Sequence, residues 1–61
     1  MLQVRLFDCE HEEDLEEEIN EFLAELEPKN LKDIKYNVAL IGDAGAEQVY
    51  CFSAMVLYRA E

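Results

Sequence analysis

Cys9, Glu10 and His11 come nearest, by residue type and spacing, to a chemical site in this chain. A thiol beside an imidazole is a nucleophile with its base, provided the two side chains reach one another. The same residues invite a metal reading. Structural zinc takes four ligands in recognisable pairs such as C-x2-C, and the chain supplies only one more cysteine, Cys51, and no second histidine. A helix N-terminus would lower the Cys9 thiol pKa, but the surrounding carboxylates raise it. Those carboxylates are the abundant groups. Eleven lie between Asp8 and Glu27, a stretch with no Lys or Arg. Exposed on a helix they are ordinary acids, because perturbed ones need burial or a specific neighbour. Calcium needs oxygens converging from a loop; a straight helix points them outward, and the Asp43 turn offers one. There is no Gly-rich phosphate loop and no Ser-His-Asp set. No catalytic, cofactor or metal residues are assigned, and the chain reads as a non-enzyme.

The elements that would position these residues follow from periodicity. Residues 2 to 7 alternate Leu2, Val4, Leu6 against Gln3, Arg5, Phe7, the period of a strand. Asp8 follows as a candidate helix cap. From about Glu10 to Glu27 the apolar residues Leu15, Ile19, Phe22, Leu23 and Leu26 form one stripe of an amphipathic helix, which Pro28 stops. Residues 31 to 41 alternate Ile34, Tyr36, Val38, Leu40 against Lys35, Asn37, Ala39, Ile41. The cluster Gly42-Asp43-Ala44-Gly45 reads as a turn. Residues 48 to 58 form a third strand with both alternating sets apolar, as suits a central strand covered on both faces. A right-handed crossover leaves a gap for it between the first two strands. The expected fold is α+β: β-α-β-β, a three-stranded antiparallel sheet of order 1-3-2, with one amphipathic helix on one face. It forms one small domain, residues 1–61.

Charge and length exclude several functions. The net charge is -10, and residues outside Asp8–Glu27 are almost balanced, with four acids against Arg5, Lys29, Lys32, Lys35 and Arg59. That argues against a nucleic-acid partner, which needs a basic footprint, and against an anionic membrane surface. No run approaches about 18 apolar residues, so no membrane span is expected. The N-terminus MLQVRLFD does not read as a secretory signal. A cytoplasmic, reducing compartment with two free thiols is the expectation. A chain this short buries only about 60% of its unfolded surface, so it needs a staple or a partner subunit.

One helix covers one sheet face, so the other stays open. On this reading Gln3, Arg5, Phe7, Asn37, Ala39 and Ile41 show there, with one set from the third strand. Either set can lie beneath the helix; Tyr50, Phe52, Ala54, Val56 and Tyr58 fit better, because Ala54 at the centre allows close approach. An exposed apolar face predicts a homo-oligomer, with Phe7 and Ile41 as candidate contact residues. The helix face, represented by Glu13, Asp14, Glu17 and Glu21, reads either as a solvated surface that keeps a sticky sheet soluble or as a docking surface for a basic protein. A variant of the second is an acidic nucleic-acid mimic. A further alternative is a small-molecule-binding oligomer, with ligand held between aromatic residues of apposed sheets.

Three stretches carry a family pattern: MLQVRLFD, EEDLEEEINEFLAEL and EQVYCFSAMVLY. Within them Phe7-Asp8, Asp14-Leu15-Glu16, Ile19-Asn20 with Phe22-Leu23, and Tyr50-Cys51-Phe52-Ser53-Ala54 are the most suggestive. Together they resemble the small acidic Cse sporulation protein family of Bacillus-type spore formers, over nearly the whole chain. The resemblance implies expression linked to sporulation, in the mother cell, and transfers no active-site residues. The segment Lys29–Asp33 and the Gly42–Glu47 turn depart most from the pattern, which leaves room for a mobile-element relative. The expected function is a sporulation-associated accessory or protein-interaction role, exercised through the acidic helix or the open sheet face.

Overall fold

A computed structural model of the chain describes residues 1–42 and 49–60, with Ile41 described in its backbone alone. The order is β1 (Leu2–Cys9), α1 (Glu12–Glu25), a 3-10 turn (Pro28–Asn30), β2 (Leu31–Ile41) and β3 (Val49–Arg59). The sheet has the order β1-β3-β2, and both pairings are antiparallel. This is the expected α+β architecture. The two outer strands are joined through a central strand that is apolar on both sides. From Asp43 onward the expected turn lies outside the described residues. Gly42 ends β2 with φ 156°, a region closed to residues with a Cβ.

Register decides which side chains share a face. Phe7 lies opposite Ala54, Arg5 opposite Val56, Gln3 opposite Tyr58 and Cys9 opposite Phe52. On the other edge Tyr36 pairs with Ala54, Ile34 with Val56, Val38 with Phe52 and Leu40 with Tyr50. These residues form the helix side of the sheet, because Leu15 packs with Phe7, Ala54 and Val56 in the core. Of the two third-strand sets that the sequence left open, the one centred on Ala54 is thus under the helix. The first strand is reversed. Phe7 is 8% exposed and belongs to the core, while Leu2, Val4 and Leu6 are exposed on the opposite face. The three aliphatic residues outnumber the single Phe7, but Phe7 alone faces the gap above Ala54. There it meets Phe22 edge-on at 5.9 Å.

Two further details of the backbone differ from expectation. Asp8 does not cap the helix; it continues β1 opposite Ser53. His11 is the N-cap residue, and its carbonyl accepts from the N–H groups of Asp14 and Leu15, both at 3.1 Å. The helix is therefore Glu12–Glu25 rather than Glu10–Glu27. At the start of β2 the register shifts between Leu31 and Asp33. That bulge brings Leu31 back onto the core side, although its odd number puts it out of step with Ile34, Tyr36 and Val38.

The helix seats mainly over β1 and β3. Leu15 is its one fully buried residue; Ile19 and Phe22 pack partly against the core. Phe22 also meets Tyr58 edge-on at 5.0 Å. The helix side of β2 is left uncovered, with Tyr36 at 58% and Leu40 at 52% exposure. A helix about 10 Å across cannot span three strands spaced about 4.8 Å apart once it has shifted toward one edge.

Candidate interaction surfaces

The acidic segment starts at the end of β1. Cys9 is half-buried there, and its Sγ donates to Glu18 Oε2 across the strand–helix gap at 3.1 Å. That hydrogen bond to a carboxylate pushes the thiol up to about 11, with help from partial burial and the charges of Glu18, Asp14 and Asp8. A thiol held protonated is a poor nucleophile. Of the two residues nearest to a dyad by sequence, Cys9 is tied to Glu18 and His11 turns the chain into the helix. Among the described residues no group of three or more His, Cys, Asp or Glu is placed to hold a metal ion. Cys51 is half-buried on the open face, opposite Ala39.

The helix divides its carboxylates between two flanks. Glu12, Glu13 and Glu16 stand over the uncovered strip of β2, where they line a groove of about 500 Å³ with Ile34, Tyr36 and Ala54. Asp14, Glu17, Glu18 and Glu21 line the other flank, beside Cys9. The four helix residues singled out by sequence are thus not one patch: Glu13 faces the groove, whereas Asp14, Glu17 and Glu21 face the β1 edge. Charge compensation is sparse. Among the described residues Glu27 alone of the eleven acids is in a salt bridge, with Lys29 at 3.6 Å. Arg5 lies over the rings of Phe7 and Phe22, 5.8 and 5.6 Å from their centroids. It shields the core edge as a cation over aromatic faces.

The open face has a different character. Leu2, Val4 and Leu6 of β1 stand beside Met55 and Leu57 of β3. Leu6 is 71% exposed. The charged residues in register on this side are Asp8, Asp33, Lys35 and Arg59, two of each sign; Asp33 and Lys35 pair at 3.3 Å. Of the residues predicted for this face, Phe7 is buried under the helix and unavailable for contact. Ile41 pairs with Val49 on the open side by register, and its side chain is outside the described residues. Gln3 and Arg5 also belong to the helix side; Gln3 Oε1 accepts from Tyr58 Oη at 3.1 Å.

Ile34, Tyr36, Val38 and Leu40, the β2 set opposite the expected open-face residues, are themselves exposed. The signal was present: a stripe of five apolar residues on one helix is too narrow for three strands.

Residues 1–60 match the protein family described as sporulation protein Cse60. The chain is 54% identical over 59 residues to sporulation protein cse60 of Bacillus subtilis strain 168, covering 97% of this chain and 98% of that protein. No solved structure matches the chain. No helix among the described residues is long and apolar enough to cross a membrane.

Proposed function

Because this chain belongs to the sporulation protein Cse60 family, we propose that it is a non-catalytic accessory protein of sporulating cells. In this reading two copies join through their open sheet faces and present their acidic helices outward to a basic protein partner. The mother-cell cytoplasm is the compartment that fits it.

The observation that carries the reading is the unburied surface. The chain exposes 4928 Å². A compact monomer of 7.1 kDa would expose roughly 4,100 Å² on the usual mass scaling. The excess comes with exposed apolar side chains on both sides of the sheet, and Leu2, Val4 and Leu6 supply those of the open face. Its distribution also supports the reading. The open face is apolar and balanced in charge, so two copies meet without repulsion. Their helices then lie on the outer sides of two sheets packed about 10 Å apart, beyond the Debye length of about 8 Å at physiological salt. The helix side cannot serve in the same way, since a second copy would set glutamates against glutamates.

Light scattering after size exclusion tests this directly. A dimer mass is expected for the native chain and a monomer mass for Leu6→Asp. A monomer mass at every concentration up to high micromolar would refute the assembly. For the partner, capture from sporulating-cell extract should be lost at high salt and with Glu13→Gln, Asp14→Asn, Glu17→Gln and Glu21→Gln combined. Retention under both conditions would refute the acidic-helix contact.

A further inference from the structure

The groove between α1 and β2 has one apolar wall and one acidic wall. Its floor is Ile34, Tyr36 and Ala54; Val38 and Leu40 continue the same side of β2 beyond it, and the four β2 residues are 39%, 58%, 44% and 52% exposed. Its rim is Glu12, Glu13 and Glu16. At Glu12 and Glu13 it meets a second hollow that reaches Tyr50 and Phe52 beside the helix N-terminus; those two rings stack at 6.0 Å. From Ile34 to Leu40 the strand runs about 20 Å at roughly 3.3 Å per residue. A helix of about 13 residues has that length.

We propose that this groove seats an amphipathic helix from a partner protein, with its apolar stripe on β2 and a Lys/Arg flank against Glu12, Glu13 and Glu16. The inference rests on the reading that the acidic helix meets a basic partner, and it names where and in what form. Charge complementarity selects the occupant. An apolar helix alone would leave the glutamates unpaired beside it, and a second copy of this chain would bring acids to acids. A cationic extended strand would satisfy the rim but leave the broad strip beside α1 half-filled. A helix laid alongside α1 completes a two-helix layer over the three strands, in the groove-binding mode by which amphipathic helices are held. The acids on this flank oppose one another along α1, and a basic partner relieves that repulsion.

The probe is a pair of 14-residue helical peptides with the same apolar stripe, one flanked by Lys and one by Glu. Binding to the full chain is read by fluorescence anisotropy and by amide chemical shifts. The Lys-flanked peptide should bind at least about tenfold more tightly than the Glu-flanked one, more weakly as salt rises, and should shift Ile34, Tyr36 and Val38. Tyr36→Asp, at an exposed position, should weaken it by about tenfold or more. Glu13→Lys with Glu16→Lys should reverse the preference between the peptides, a result that does not depend on Tyr36→Asp folding. Equal binding of both peptides, or shifts centred on Val4, Leu6 and Met55, would overturn the proposal. Shifts confined to Glu17 and Glu21 would overturn the groove and leave the acidic helix as the contact surface. No binding of the Lys-flanked peptide would overturn the groove and the basic partner together.

Discussion

Adjacent residues of β1 offer the most decisive perturbation. Phe7→Ala and Leu6→Ala each remove one large apolar side chain, but from opposite sides of the sheet. Phe7 is 8% exposed, lies opposite Ala54 and meets Phe22 at 5.9 Å. Truncating a buried Phe costs about 3–5 kcal/mol through lost transfer energy and the cavity left behind. Marginal stability of roughly 0.05–0.15 kcal/mol per residue gives a chain of this length about 3–9 kcal/mol in total. Phe7→Ala should therefore remove about a third or more of the stability of the isolated chain. Leu6, 71% exposed in a single copy, should cost within about 0.5 kcal/mol there. Urea unfolding followed by far-UV circular dichroism measures both, at a concentration where light scattering reports monomer. In concentrated samples Leu6→Ala should forfeit the stabilisation that the second copy adds, and Phe7→Ala should lose about the same amount as before. A dilute-solution loss larger for Leu6→Ala than for Phe7→Ala would refute the assignment of faces, and with it the open-face dimer.

Other expectations follow from charge. Glu17→Lys replaces like-charge neighbours at Glu13 and Glu21, each pair opposing the helix by about 0.2–0.5 kcal/mol, so it should stabilise the chain by roughly 1 kcal/mol in a low-salt thermal melt. Added salt should raise the melting temperature of the native chain and narrow that gain; a flat response would refute the repulsion. Cys9, pushed up to about 11 by its bond to Glu18, should alkylate with iodoacetamide at pH 8 more slowly than in Glu18→Gln, and equal rates would refute the contact. Its folded pKa lies above the ordinary value of 9.0, so the protonated thiol is favoured by folding. The stability it contributes is complete below about pH 9 and is lost as pH rises to about 11. A pH series of urea midpoints should show that slope in the native chain and a reduced one in Cys9→Ser.

The sequence by itself determined the element order, the strand order and the charge map. The helix stripe from Leu15 to Phe22 has a 3.6-residue period, and β3 is apolar on both alternating sets, so it had to be central. The eleven clustered acids follow from composition alone. For the third strand the sequence left either face open beneath the helix and only favoured the one with Ala54, the small residue that lets a helix approach. Tertiary structure decided the rest. In β1 both alternating sets carry apolar residues, and a strand's faces exchange with a one-residue change of register. Only pairing with β3 set Phe7 over Ala54 and turned Leu2, Val4 and Leu6 outward. The seat of the helix was equally beyond periodicity. A stripe shows which side of a helix is buried, but not which two of three strands it covers. That choice rests on the packing of Leu15, Phe22 and Phe7 around Val56, and it is what opens the acid-rimmed groove along β2.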